Sequence, residues 1–371
     1  MEFTSIFDYV DSVDFTTIGG DEAYGKGQIG GLLREKNDVA TADFVIVGCN
    51  EHRGDVLHKN NTGTHAIRQK FYQLFHWHTD VRIADIGDVQ NGKRLNDSYA
   101  ALELVLTELL AAGKKVLVLG GSHDNTLAIY NAFAAKKQIV EATVIDALID
   151  IDPEGIKPAQ RFLLEMLIGQ PNYIRQFNLL GFQSYFTNPA LLEAIDKLRF
   201  DCVRVGKVQE KMEEVEPIIR SSEFLSFDLK SMAHAYLPVN DISPNGFTGQ
   251  DACKLMQFAG MSNTLQVAGI FGLANDDAQG MSAMQVAQMV WYFMDGIQKS
   301  KHEADLENRE GFTEYHTLCA EVDTVFLQSR HTGRWWMQMP DKSFAACSFS
   351  DYAAASHNDI PERWLRIQER D

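Results

Sequence analysis

Short apolar runs alternate with helical patterns along residues 42–299, and this alternation limits the fold more than any other feature. Most of the runs are continuously apolar, which is typical of strands that are covered on both faces. We predict strands at ADFVIVGCN (42–50), VRIADIGDV (81–89), KKVLVLGGS (114–122), ATVIDALID (142–150), FNLLGFQS (177–184), FLSFDL (224–229) and LQVAGIFGLA (265–274). Helical patterns occur at 98–115, 188–199 and 282–299. The alternation predicts an α/β domain, residues 1–299, whose parallel sheet has helices on both faces.

Residues 300–371 differ from the rest of the chain. A charged connector, KSKHEADLENREG, leads into two segments that carry three of the five tryptophans, HTGRWWMQMP and SFSDYAAASHNDIPERWLR. We predict that residues 300–371 form a C-terminal extension packed on the same domain. Trp335 and Trp336, next to Arg334, either pack inside this extension or form an aromatic and cationic surface for a partner.

The composition excludes several partners and compartments. The 51 acidic residues exceed the 34 Lys and Arg residues by 17, so neither a nucleic acid nor an anionic membrane is an expected partner. The start, MEFTSIFDYVDSVDF, lacks the basic segment of a signal peptide, and no apolar run reaches about 18 residues. The five cysteines are far apart and form no CxxC, which indicates reduced thiols. We therefore expect a cytoplasmic protein.

Polar residues follow three of the predicted strands, at the ends where ligands bind in α/β sheets. One strand is followed by a histidine and an acid, the second by three acids, and the third ends in an acid: His123 and Asp124; Asp146, Asp150 and Asp152; Asp228. Crowded carboxylates repel one another, and a cation at their centre removes that cost. One imidazole with several carboxylate oxygens suits Mn²⁺ or a similar divalent ion. The alternative is that these residues are solvated turn and cap residues.

Three motifs at these strand ends resemble the metal motifs of the arginase–agmatinase–formimidoylglutamase (ureohydrolase) family. GGSHD (120–124), DALID (146–150) and SFDLK (226–230) stand in the order of the family's GGDHS, DAHxD and SxDxD. TGTHAIR (62–68), ADIGDV (84–89) and GFTGQDACKLM (246–256) resemble further family segments. The resemblance covers residues 20–297 and is greatest to formimidoylglutamase-type members. It implies a three-layer αβα fold around a mostly parallel sheet of about eight strands.

The resemblance also implies which metal ligands are kept and which are lost. The family binds two Mn²⁺ ions, and the ligands of one ion are all present here: His123, Asp146, Asp150 and Asp228. The second ion would need a histidine and an aspartate where this chain has Leu148 and Lys230. Leucine has no lone pair and an ammonium is itself a cation, so neither binds a metal. We expect one ion, with the Lys230 ammonium near the vacated position and paired with Asp146 and Asp228.

Further family positions have changed. Gly272 stands where the family has a glutamate, Ala233–His234 stand where it has Asp-Pro, and no histidine lies between His123 and His234. The first functional hypothesis is metal-dependent hydrolysis of the C–N bond of a linear amidine, with formimidoylglutamate as the favoured substrate. Asp124 or Asp152 would orient the attacking water. The second is a catalytically silent family member that keeps one structural or sensory ion.

Two further expectations concern ligands and partners. In either hypothesis the ligand is a small amino-acid-like molecule, and the family's commonly oligomeric members imply a homo-oligomer. A polar loop, residues 50–65, contains His52, His58 and His65 together with Arg53. This loop either lines the substrate entrance or is an ordinary solvated loop.

Overall fold

A computed structural model describes residues 6–15, 18, 24–55, 61–198, 200–319 and 322–369. Within these ranges, nine strands form one sheet in the order β1-β3-β2-β4-β9-β8-β5-β6-β7. All neighbouring pairs are parallel except β1 with β3, at one edge. The strands are β1 (Val10–Asp11), β2 (Phe44–Cys49), β3 (Ile83–Val89), β4 (Lys115–Leu119), β5 (Val140–Ile145), β6 (Ile174–Phe182), β7 (Asp201–Arg204), β8 (Phe224–Asp228) and β9 (Val267–Phe271).

Each face of this sheet is covered by its own apolar core. Successive side chains of a strand point to opposite faces, and in β2 Phe44 and Ile46 belong to one core while Val45 and Val47 belong to the other. In the described part of the chain, the α-helices with defined bounds outside the C-terminal extension are Ile29–Glu35, Gly63–Phe71, Leu95–Ala111, Thr126–Ala135, Phe162–Ile168, Pro189–Lys197, Val205–Glu210, Glu216–Ser221, Gly249–Met261 and Met281–Ser300. The fold is therefore the expected three-layer α/β arrangement.

The seven predicted strands and three predicted helices are all present, with ends that differ by a few residues. Two strands of this sheet were not predicted. β1 has two residues, and β7 (DCVR) contains charged residues and is only partly buried. Both lie at edges of the sheet, where a strand needs no continuous apolar run. Among the described helices, none is long and apolar enough to cross a bilayer. All five cysteines are free.

The C-terminal extension forms a second sheet with antiparallel pairing and the order β10-β11-β12-β13. Its elements are β10 (Phe312–Cys319), β11 (Val322–Ser329), β12 (Trp335–Gln338), β13 (Phe344–Cys347) and the helices Phe349–Ser356 and Glu362–Gln368. Trp335 and Trp336 are buried, which agrees with packing inside the extension. The boundary between residues 299 and 300 remains a proposal.

Two buried arginines join the extension to the rest of the chain. Arg220, just before β8, donates from Nη2 to the carbonyl oxygens of Trp335 at 2.8 Å and Cys347 at 3.2 Å. Arg334 donates from Nη1 to the carbonyl oxygen of Met261, before β9, at 2.7 Å. Both contacts lie near the starts of the strands. The extension therefore packs at the opposite end of the sheet from the strand ends that carry the predicted metal ligands.

Candidate metal centre

The carboxyl ends of three strands bring four side chains of the predicted site together. β4 is followed by a 3₁₀ turn, His123–Asn125, that carries His123. Asp146 follows β5 directly, and Asp150 lies four residues further along the same loop. Asp228 is the last residue of β8. Ligand atoms of these four buried residues lie within 4.8 Å of one another.

The three strands that carry the site are not all neighbours in the sheet. β8 pairs with β5, but β9 lies between β8 and β4. β9 is followed by Gly272 at φ +104°, and a Cβ there would lie 3.0 Å from Asp228 Oδ1. The end of β9 therefore adds no side chain beside Asp228, and His123 meets the aspartates across this intervening strand.

The four residues are arranged around one nitrogen atom. His123 Nδ1 lies 3.1 Å from Asp146 Oδ2, 3.2 Å from Asp150 Oδ2 and 3.3 Å from Asp228 Oδ2. All four residues are less than 9% exposed. One proton on Nδ1 cannot serve three carboxylate oxygens, and Asp146 Oδ2 makes no hydrogen bond at all.

A closed ring of hydrogen bonds sets which nitrogen of His123 carries a proton in its neutral form. Thr126 Oγ1 donates to the carbonyl oxygen of His123 at 2.7 Å, so its single proton is committed. Ser226 Oγ, 2.6 Å away, must then donate to Thr126, and it accepts from His123 Nε2 at 3.0 Å. The neutral imidazole therefore keeps its proton on Nε2 and turns the Nδ1 lone pair towards the aspartates, as a metal ligand requires.

The charges of the cluster shift the pKa values of its members strongly. Burial lowers the pKa of His123, but the charges of Asp228 and Asp146 and a hydrogen bond with Asp150 outweigh it and raise that pKa to about 10. Burial and the charge of Asp146 raise the pKa of Asp150, and raise that of Asp228 to about 6. The single imidazole of His123 thus cannot neutralise three aspartates. This residue set fits a divalent cation, which would neutralise the carboxylates and use the orphaned Asp146 oxygen.

Leu148 and Lys230, at the lost second-ion positions, contact the cluster through their backbones. The Leu148 amide donates to Asp146 Oδ1 at 3.1 Å, and the Lys230 amide donates to Asp228 Oδ1 at 2.9 Å. The Lys230 ammonium does not form the expected ion pairs with Asp146 and Asp228. It pairs instead with Asp55 Oδ2 at 2.7 Å, because the turn after β2 brings a closer carboxylate. Burial opposes the charge of Lys230, but Asp228 and Asp55 raise its pKa above the usual value.

The two acids predicted to orient a water lie outside the four-residue cluster. Asp124 is buried, accepts a short hydrogen bond from the Tyr99 hydroxyl and leaves Oδ1 without a partner. Burial raises the pKa of Asp124. Asp152 is exposed and accepts from the Glu154 amide at 3.0 Å. The catalytic roles of both remain predictions.

Several contributors to the centre were missed by the sequence analysis. Ser226 lies inside the SFDLK motif, but its role in orienting His123 depends on Thr126, which is distant in sequence. Asp55 lies in the loop 50–65, whose sequence fits either a substrate entrance or a solvated loop. Its ion pair with Lys230 places the start of this loop at the centre. His65 lies in the helix Gly63–Phe71, and His58 is outside the described residues.

A family model described as the arginase family matches residues 42–295, which contain all four clustered side chains. The chain belongs to the arginase family. A formimidoylglutamase of Photorhabdus laumondii is 22% identical to this arginase-family protein over 247 residues, which cover 62% of the chain and 77% of the relative.

Solved structures of low sequence identity share the fold. A Trypanosoma cruzi formiminoglutamase crystallised with Mn²⁺ has a TM-score of 0.66 and 20% identity, over 73% of this chain and 98% of that one. A Bacillus subtilis formimidoylglutamase has a TM-score of 0.63 and 14% identity, over 76% and 96%. The family resemblance found in the sequence is thus confirmed, and so is the fold that it implied.

Proposed function

We propose that this arginase-family protein binds a single divalent cation, Mn²⁺, through His123, Asp146, Asp150 and Asp228. The observation that carries the proposal is the convergence of these four buried side chains with one ammonium beside them. Three carboxylates carry three negative charges, and Lys230 with one divalent cation supplies three positive charges. A second divalent cation would leave a buried excess of two positive charges, which is costly without further ligands. Lys230 thus takes the electrostatic place of the second ion.

The reaction we propose is hydrolysis of the C–N bond of a linear amidine, with formimidoylglutamate as the substrate. The relatives named formimidoylglutamase support this choice of substrate. A cation held by the four side chains would supply a nucleophile by lowering the pKa of a bound water. The closed ring through Ser226 and Thr126 holds His123 in the tautomer that the cation needs. Asp124 is the better candidate for orienting the water, because it is buried and keeps one unpartnered oxygen, whereas Asp152 is exposed.

A second candidate function is a catalytically silent family member that holds the cation and binds a small amino-acid-like ligand. Leu148 and Lys230 favour it, because a single cation activates water less than a pair does. Gly272 favours it as well, since the glutamate that the resemblance implies at this position is absent. Both functions share the same cation site, so they differ only in turnover. A cytoplasmic location and a homo-oligomer are expectations for either.

Metal analysis tests the shared part of both proposals. We expect one Mn²⁺ per chain after loading and gel filtration, and at least tenfold weaker binding in Asp228→Asn and His123→Ala. Asp152→Asn is the matched control, because Asp152 is an exposed acid next to the same loop, and it should bind as the parent does. Two ions, or none, would contradict the one-cation site.

Turnover of formimidoylglutamate, arginine and agmatine by the loaded protein separates the two functions. The hydrolase proposal predicts Mn²⁺-dependent release of ammonia or formamide from formimidoylglutamate, with a lower rate in Asp124→Asn than in Asp152→Asn. A protein that holds one Mn²⁺ per chain but turns over none of the three substrates would support the silent member.

A further inference from the structure

Asp55 joins two lysines directly beside the candidate metal centre. Its Oδ2 lies 2.7 Å from Lys230 Nζ, and its Oδ1 lies 3.1 Å from Lys157 Nζ, so each oxygen serves one ammonium. The Asp55 amide donates to the His52 carbonyl oxygen at 3.1 Å, which closes a tight turn. The Ala159 amide donates to the Gly54 carbonyl oxygen at 3.1 Å and ties this turn to the segment that carries Lys157.

This bridge is partly exposed to solvent, unlike the buried ion pair between Arg68 and Asp85. The side chains of Asp55, Lys230 and Lys157 are 22%, 26% and 46% exposed. By contrast, Arg68 and Asp85 form an ion pair that is 4% and 0% exposed. Ion pairs that water can reach contribute little to stability, because water screens them. A dissolved anion can therefore reach the two ammonium groups and compete with Asp55.

The charges nearby define which ligand can compete. With one divalent cation, the three clustered aspartates and Lys230 sum to zero, and Asp55 then balances Lys157. A carboxylate that replaces Asp55 between the lysines leaves this balance unchanged. A cationic ligand at the same place would face two ammonium groups without a counter-charge. The arrangement thus selects for a carboxylate next to the cation site.

We propose that Lys230 and Lys157 form a carboxylate-binding pair, that Asp55 is its internal occupant, and that the carboxylate of an anionic ligand displaces Asp55. The ligand class is an acidic amino acid derivative or dicarboxylate, in contrast to cationic arginine- or agmatine-like molecules. The inference deepens the proposed function, because the pair lies at the same centre, but it concerns binding and does not require turnover.

Calorimetric titration of the Mn²⁺-loaded full chain tests this pair. Glutarate is the anionic probe, and putrescine is a cationic probe of similar length. We expect the parent to bind glutarate and not putrescine. Asp55→Asn removes the competing charge with little change of shape, so it should tighten glutarate binding about fivefold to tenfold, while Lys157→Gln should weaken it by a similar factor.

The chain offers a matched control at the opposite end of the sheet. Asp43 also lies between two cations, 3.0 Å from Lys301 and 3.5 Å from Arg82. Asp43→Asn should leave glutarate affinity unchanged. Circular dichroism and thermal unfolding check that each variant folds, and Asp55→Ser replaces Asp55→Asn if the latter does not.

Three results would overturn the pair: no glutarate binding in any variant, unchanged or weaker binding when Asp55 is neutralised, or putrescine binding as tight as that of glutarate. The proposed hydrolysis is tested independently of this pair. If the protein shows the expected glutarate response but no turnover, the carboxylate-binding pair is supported and only the proposed hydrolysis is refuted.

Discussion

Replacing Gly272 with alanine should weaken cation binding through a residue that is not itself a ligand. Gly272 has φ +104°, a conformation that side-chain-bearing residues rarely adopt, and a Cβ would lie 3.0 Å from Asp228 Oδ1. That contact is tighter than ordinary packing, so the carboxylate must shift by a few tenths of an ångström. Asp228 is held by the Lys230 amide at 2.9 Å and faces His123 at 3.3 Å. A shift therefore disturbs the ligand set itself.

The expected cost of Gly272→Ala has two parts. The backbone conformation costs about 1–3 kcal/mol of folding free energy when a side chain must adopt it. Disturbing a group that orients a metal ligand typically weakens metal affinity roughly 10–100-fold. We therefore expect a lower free energy of unfolding in chelator and a raised dissociation constant for Mn²⁺.

Gly113→Ala separates these two effects. Gly113 also has a positive φ, +70°, but a Cβ there meets nothing within 4 Å. Its substitution should cost about 1 kcal/mol of stability and leave Mn²⁺ binding unchanged. Urea unfolding in chelator gives the stability of both variants, and calorimetric Mn²⁺ titration gives their affinity. Unchanged affinity in Gly272→Ala, or an equal loss in Gly113→Ala, would refute the reasoning.

Three further predictions concern the ion count, the stability and the pH response. Leu148→His combined with Lys230→Asp should raise the Mn²⁺ content from one to two ions per chain by mass spectrometry of the metal; a double variant that holds only one would show that these are not second-ion positions. Removing the cation with a chelator should lower the midpoint of thermal unfolding, since a ligand at a hundredfold its dissociation constant adds about 2.7 kcal/mol; an unchanged midpoint would mean that no cation was bound. Burial, with the charge of Arg334, lowers the pKa of Lys115 from 10.5 to about 8. The unfolded chain therefore binds more protons between these two values, and stability should rise with pH across that window. Lys115→Met should reduce this slope in urea unfolding, and an equal slope in parent and variant would count against the shift.

The strands that carry the site were predictable because they are buried on both faces. β2 and β8 are covered at every residue and consist mostly of apolar residues, so their sequences indicated buried strands. β7 could not be predicted, since an edge strand tolerates Asp201 and Arg204. The order of the strands in the sheet could not be predicted either, because an apolar run indicates that a strand is buried but not which strands pair with it. The position of β9 between β4 and β8 was therefore not predicted.

The candidate ligands were predictable for a related reason. Asp228 is the last residue of β8, Asp146 follows β5 directly and His123 comes four residues after β4, so the sheet sets their positions. Asp152 lies further along a loop, where the chain is free to turn outwards, and it is exposed. The partner of Lys230 was unpredictable for the same reason, because Asp55 comes from a turn whose position depends on tertiary packing.

The ring through His123, Ser226 and Thr126 makes the direction of a hydroxyl proton part of the metal chemistry. Thr126 begins a helix, and among the described residues its side chain makes no hydrogen bond to the three aspartates. It nevertheless fixes the orientation of the Ser226 hydroxyl. If the threonine hydroxyl were lost, Ser226 could reverse and offer its own proton to His123 Nε2. The imidazole would then be free to move its proton to Nδ1, where a cation would have to displace it. Selection for metal affinity would thus act on a residue whose own side chain binds no metal.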